Sequence, residues 1–255
     1  RFLVKFIFSI NKNFLERRKL RKIMKIEYKL PTEHQKYYVD GKIVPSVTTV
    51  LSILGSDSLT KWANRIGFQK IHLEDSLQFS SNVGTLAHLL IEVFLNGQID
   101  EFDMNKFYRL NKSYTNEMID QSIYAFESFE SFYNDNKNDI QVLFTEKQMV
   151  SEKYGFGGTI DLGFTYKGIP MLGDYKTSNY FNRKMFFQTA AYLYMAKEYN
   201  LDFQKVAIFK LPKTPKDEFD IKMMKAENLK PYFRYFLKCL EIYEMNKFFK
   251  DGLYH

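Results

Sequence analysis

A chain of 255 residues is long enough for one large domain or two small ones with a sizeable core, and 45% apolar against 26% charged residues is the balance of a globular protein, not a disordered one. Apolar runs are short and broken by charge, so no segment is expected to span a bilayer, and the single cysteine, Cys239, excludes a disulfide framework, a cysteine-built zinc site and a four-cysteine iron–sulfur cluster. The net charge of +7 is lopsided: residues 1–25 hold nine Lys/Arg and one acid, whereas the rest holds 28 Lys/Arg against 29 Asp/Glu, so a pI near 9.1 does not mark the body as a nucleic-acid binder.

In chain order, residues 1–25 stand apart. Phe2 to Ile10 is apolar but interrupted by Lys5 and lacks a small-residue cleavage site, which argues against a secretory signal. The stretch fits an organellar transit segment, a basic DNA-binding arm or a plain extension. Met24 opens a segment that reads as a natural start, which favours the extension. Residues 26–255 then form one domain, with the cytoplasm as the default compartment and the mitochondrial matrix as the alternative.

Tyr37–Val39 and Lys42–Val44 read as a hairpin turning at Asp40-Gly41, a type I′ signal. Ser46 is a natural N-cap for a helix from Val47 to Leu54. Further helices are expected at Thr60–Gln69, Gly84–Asn96, Asn116–Asn134, Phe181–Tyr199 and Leu229–Phe249. Strands are expected at Ile140–Met149, Thr159–Tyr166, Ile169–Tyr175, Lys205–Leu211 and Phe219–Met223. The alternation implies an α/β domain with a central sheet flanked by helices.

Lys167-Gly168 suits a two-residue hairpin turn that pairs Tyr166 with Ile169. Carried along the strands, that register sets Asp161 opposite Asp174, with Cβ atoms roughly 5 Å apart. Lys176 shares a strand face with Asp174. Facing carboxylates repel unless a cation or a shared proton relieves them, and hard cations such as Mg²⁺ or Mn²⁺ favour such oxygens. The alternative is two solvated aspartates and an ordinary cross-strand salt bridge. His88 and Glu92 are one helical turn apart, as are Gln188 and Tyr192. Alone, each pair reads more readily as packing or a helix-surface contact.

Together the motifs Gly84/His88/Glu92, Gly158/Asp161, Asp174/Lys176 and Gln188/Tyr192 resemble, in this order, the RecB-like branch of the PD-(D/E)XK nuclease superfamily. The resemblance spans residues 45–192. Pro45 to Leu51, with Trp62 and Gly67, is similar to the opening of phage-encoded members and of the mitochondrial genome-maintenance exonuclease. Ile160 stands where the superfamily name puts Pro, and Cys239 alone cannot supply the iron–sulfur cluster of some members. No Gly-x-x-x-x-Gly-Lys-Ser/Thr motif accompanies the set, which implies a stand-alone nuclease.

The resemblance implies a restriction-endonuclease-like core and Mg²⁺- or Mn²⁺-dependent hydrolysis of DNA that leaves a 5′-phosphate. Asp161, Asp174, His88 and the Tyr175 carbonyl would hold the metal. Lys176 would orient or deprotonate water, or stabilise the charge that grows on phosphorus. Glu92 would orient His88 or a metal-bound water, and Gln188 and Tyr192 would lie on the substrate side. Ser46, Thr48 and Thr49 at a helix start, Arg183 and Lys184 after the lysine strand, and the Lys205/Lys210/Lys213/Lys216 series around a turn are candidate phosphate contacts. Tyr180, Phe181, Phe186 and Phe187 are candidate base-stacking groups. The partner expected is DNA, as ends or single strands, and no membrane. An endonuclease on the same fold and a non-catalytic binding module are the rivals.

A protein starting at Met24 is expected to fold and to bind DNA with the salt dependence of the full chain. If the basic segment is a DNA arm, removing it flattens the slope of log K against log salt, which a titration in KCl reads directly.

Overall fold

In the computed structural model, which describes residues 35–55 and 72–252 together with 26, 28, 30 and 67, Asp40 and Gly41 both take left-handed φ, 48° and 75°. They form the tight turn between β1 (Tyr37–Val39) and β2 (Lys42–Val44), in the register Tyr37↔Val44. The basic segment 1–25 and nearly all of the helix expected at Thr60–Gln69 lie outside the described residues.

Ser46 caps α1 (Val47–Leu51) by accepting from Thr49 N at 3.0 Å. This helix stops short of Leu54 because its last amides bond three residues back, a tightened final turn. Helix α2 (Leu73–Leu95) starts well before the expected Gly84, with Glu74 and Asp75 in its first turn against the helix dipole. A short helix, α3 (Met104–Leu110), capped by Asp103, has no counterpart among the expected elements. Thr115 caps α4 (Asn116–Asn136).

The central sheet has five strands: β3 (Ile140–Ser151), β4 (Phe156–Tyr166), β5 (Ile169–Lys176), β6 (Lys205–Lys210) and β7 (Asp220–Lys225), ordered as numbered. All neighbours are antiparallel except β5 and β6, whose parallel pairing requires a crossover. That crossover is α5 (Arg183–Glu198), capped by Asn182, and α6 (Lys230–Gly252) closes the described chain. Lys167 and Gly168, at φ 52° and 76°, make the β4–β5 turn, and the pairs run from Tyr166↔Ile169 to Leu162↔Gly173 as the sequence register requires.

A core lies on each face. On one side Ile160, Leu172 and Val206 pack with α1, α5 and α6; on the other Leu162, Phe164, Tyr175 and Phe209 pack with α2 and α4. The architecture is a mixed α/β fold, a five-stranded mixed sheet between helices, consistent with a restriction-endonuclease-like core. Among the described residues no helix is long and apolar enough to cross a membrane.

Two glycines let helices approach the sheet closely. A Cβ on Gly158 would sit inside the Tyr192 ring of α5. A Cβ on Gly84 would come to 3.3 Å from Thr177 Oγ1, so α2 lies close against the chain just after Lys176. Gly158→Ala is expected to cost about 2 kcal/mol in urea unfolding, as overpacking typically does. Truncating the ring as well, in Gly158→Ala/Tyr192→Ala, should cost clearly less than the two changes summed, because the clash and the ring disappear together.

Candidate active site

Three carboxylates share one rung of the sheet. The β3–β4 pairs Thr145↔Leu162 and Lys147↔Ile160 flank Glu146 and Asp161, which stand opposite each other. The β4–β5 register continued one step past Leu162↔Gly173 sets Asp161 against Asp174. Along this rung the ladder is interrupted. Glu146 takes a left-handed φ of 43°, rare for a residue with a Cβ. On β4, Ile160 faces the α5 side and Leu162 the α2–α4 side, although residues two apart normally share a face.

The expected face-to-face aspartate pair is therefore modified. The last β4–β5 ladder pair is Leu162↔Gly173; beyond it Asp161 Oδ2 accepts from the Tyr175 backbone N–H at 2.8 Å. A side chain thus takes the Tyr175 amide where the regular ladder ends. Asp174 is fully buried, and Lys176 Nζ lies 2.7 Å from its Oδ2. Beyond that ion pair, Asp174 Oδ1 and Glu146 Oε1 are buried without a hydrogen-bond partner.

His88, half-buried on α2, reaches in from the helical layer. Its Nδ1 is 3.5 Å from Glu146 Oε1 and 3.8 Å from Asp161 Oδ2, and its Nε2 is 3.2 Å from the Tyr175 carbonyl. The acids facing Nδ1 are Glu146, which the sequence did not single out, and Asp161. Glu92, one turn further along α2, acts electrostatically on the buried Tyr175 phenol. Burial opposes charge on His88, but Asp161 and Glu146 outweigh it and raise its pKa to about 9. Both ring nitrogens then carry protons, and the imidazolium supplies positive charge between the acids.

Burial also pushes Asp174 up, to about 6, with Lys176 pulling against it and Asp161 adding to it. Lys176 loses by burial and gains more from Asp174 and Asp161, so its pKa is raised and the ammonium persists at neutral pH. On the α5 side, Gln188 Nε2 donates to the Tyr192 hydroxyl at 3.1 Å, and that buried phenol feels the charges of Asp161 and Asp174. Thus His88, Asp161, Asp174, the Tyr175 carbonyl, Lys176, Gln188 and Tyr192 converge, and Glu146 joins them unforeseen.

Other candidates fall elsewhere. The Ser46 hydroxyl caps α1 and also bonds the hydroxyls of Thr48 and Thr49, and Ser46 bridges Gly157, four residues up β4 and so roughly 13 Å along the strand from Asp161. Lys184 is drawn down in pKa by burial and faces Cys239 on α6. Arg183 is exposed on the first turn of α5. Phe186 and Phe187 pack on Tyr232, and Phe187 also stacks on Tyr235, all within the α5–α6 interface, which removes them as base-stacking groups. Tyr180 remains 52% exposed.

The donor set suits a hard divalent cation. One atom each from His88, Glu146 and Asp161 lie within 4.8 Å of one another, and of these residues Glu146 Oε1 is a buried oxygen without a hydrogen-bond partner that such an ion would satisfy. Asp174 lies outside that close trio and is held by Lys176, a change from the ligand set that the sequence implied.

No protein-family model and no curated protein matches the chain. Among solved structures, one from Eubacterium rectale named "Putative exonuclease" aligns at 14% identity and TM-score 0.41 over 65% of this chain, which spans 65% of that chain's length. A second, SSO0001, aligns at 14% identity and TM-score 0.30 over 60% of this chain and 74% of the other. Likenesses this distant carry no argument about function.

The electrostatics predict a pH dependence without metal. A His88 pKa raised from 6.5 to about 9 stabilises the fold fully below pH 6.5, and that contribution is lost as pH rises through 9. In EDTA the melting temperature is expected to fall between pH 6.5 and 9, with a slope of at most about 1.4 kcal/mol per pH unit from this group. His88→Gln should flatten the curve in that window. Thermal scans of both proteins across it check the sign.

Proposed function

We propose that the chain is a metal-dependent deoxyribonuclease that hydrolyses phosphodiester bonds, working as an exonuclease on DNA ends or single strands. Its nuclease domain would be residues 26–255, with 1–25 an extension. The observation that carries this reading is the rung of Glu146, Asp161 and Asp174, with buried carboxylate oxygens lacking directional partners beside the Lys176 ammonium. Acids kept together in this way are costly to a fold unless a cation offsets them. The exonuclease and DNA preferences rest on the motif resemblance to the RecB-like branch.

His88, once it gives up one of its ring protons, would hold Mg²⁺ or Mn²⁺ together with Glu146, Asp161 and the Tyr175 carbonyl, with Asp174 alongside. Bound there, the ion would polarise the phosphate and acidify a water. Lys176 keeps its proton, so it favours donation to phosphate oxygens or orientation of the attacking water over acceptance of a proton. Asp174 keeps that ammonium aimed. Asp161 does two things: it offers oxygen to the ion and ties down the Tyr175 amide, fixing the neighbouring carbonyl. Tyr192 and Gln188 border the acids from the α5 side and limit where a strand can lie.

Digestion of end-labelled linear and closed circular DNA, single- and double-stranded, with Mn²⁺ and with EDTA, tests the assignment. Cleavage of linear DNA only, and only with metal, is expected; cut circles would replace the exonuclease reading with an endonuclease. Lys176→Ala should lower the rate by about 10²-fold or more with DNA affinity nearly unchanged, because one ammonium at the reaction centre matters more to the transition state than to binding. Retention of more than roughly a tenth of the rate removes Lys176 from the mechanism.

A further inference from the structure

A cleft of about 240 Å³ opens where the parallel pair β5–β6 ends, lined by Ser178, Asn179, Lys210, Pro212, Lys216 and the acids Asp217 and Glu218. Lys210 is the register partner of Lys176, and Leu211 N bonds the Lys176 carbonyl at 2.8 Å, so the cleft begins directly beyond the candidate site. Carboxyl ends of parallel strands are where open α/β sheets characteristically bind ligands. The volume is below the roughly 300–1,000 Å³ of pockets that enclose drug-sized molecules, a size that suits a sugar-phosphate.

The two walls are fastened to each other. Asn179 Nδ2 donates to Asp217 Oδ1 at 3.1 Å, and Thr214 Oγ1 donates to Asp217 Oδ2 at 2.9 Å. Both oxygens of Asp217 are thus engaged by the walls, and Lys213 faces the same carboxylate. Glu218 is exposed, and Asp220, across from Lys210 on β7, accepts from the Ile221 amide. Lys210 and Lys216 make no ion pair among the described residues. Two ammonium groups without an ion pair among the described residues and an asparagine amide therefore line a small preformed hollow just beyond Lys176, with Asp217 tied into its wall and Glu218 at the exposed edge.

We propose that this cleft is a subsite for the sugar-phosphate backbone of the substrate strand, holding a phosphate next to the one that is cut. This rests on the nuclease reading and deepens it. Lys210 and Lys216 neutralise the phosphate, the second amide N–H of Asn179 supplies a neutral donor, and the Asp217 brace fixes the spacing of the walls; the Ser178 hydroxyl is already given to the Tyr180 carbonyl at 3.0 Å. Contacts of this kind carry no base information, so the subsite adds affinity and register without sequence preference.

The test is binding and cleavage of a single-stranded oligodeoxynucleotide by the full chain and by Lys210→Gln/Lys216→Gln, with Lys205→Gln/Lys225→Gln, the same charge change at the other end of β6–β7, as control. Circular dichroism checks that all three are folded. The cleft variant is expected to raise KM severalfold and to lower the salt slope by about 0.7, the value for one lost phosphate contact on a single strand, while the control stays near wild type. Replacing the phosphate adjacent to the cut with a neutral methylphosphonate should weaken the wild type and leave the cleft variant unaffected. Equal effects of the two double variants, or equal sensitivity of both proteins to the methylphosphonate, overturn the subsite while leaving the nuclease reading intact. If the wild type neither binds nor cuts DNA with Mn²⁺, both fail.

Discussion

The arrangement of this molecule depends on carboxylates that the sheet holds on one rung against their mutual repulsion. Glu146, Asp161 and Asp174 come from three successive strands, and at that level the sheet does not continue its ordinary pairing. The left-handed Glu146, the side-chain bond from Asp161 to the Tyr175 amide and the change of face between Ile160 and Leu162 all fall at this level of the sheet. A regular ladder would point these side chains by alternation alone. Interrupting it lets Asp161 turn into the gap between strands while its neighbours still reach the cores.

Compensation comes from two cations on different elements. His88 approaches on α2, which the absence of a side chain at Gly84 brings close to Thr177. Lys176 extends from the end of β5 and stays beside Asp174. Both pKa values are raised, which is the electrostatic signature of cations that the acids retain. Tyr192 closes the remaining side, and only a glycine at 158 leaves room for its ring. The imidazole and the ammonium thus offset the acids, while the glycines make the room that brings α2 and the Tyr192 ring against them.

The same sheet joins this centre to the cleft beyond it. The switch from antiparallel to parallel pairing at β5–β6 forces α5 to cross over and leaves the loops after Lys176 and Lys210 side by side. Asp217 fastens those loops. Lys176 and Lys210 are neighbours in register, and topology, more than any local motif, sets that adjacency.

From the amino-acid sequence alone, the hairpins were readable because their turns demand left-handed φ: Asp40-Gly41 and Lys167-Gly168 set registers that then run by counting. The α/β alternation followed from periodicity, and the four spaced motifs singled out His88, Asp161, Asp174, Lys176, Gln188 and Tyr192, which the fold brings together. Helix starts were less readable where glycine sits inside a helix, as with Gly84 in α2, or where one cap carries the signal, as with Asp103 before α3. Glu146 was invisible: within Thr145-Glu146-Lys147 it looks like the polar face of an edge strand. Only the β3–β4 pairing, displaced by a bulge near Leu143, brings it opposite Asp161. Likewise the destinations of Phe186, Phe187 and Lys184 depended on where α6 docks, which no local pattern encodes. Local sequence determines turns and periods because these are short-range steric constraints. Which acid faces which, and which oxygens lack a partner, is decided only when distant strands pair and exclude water.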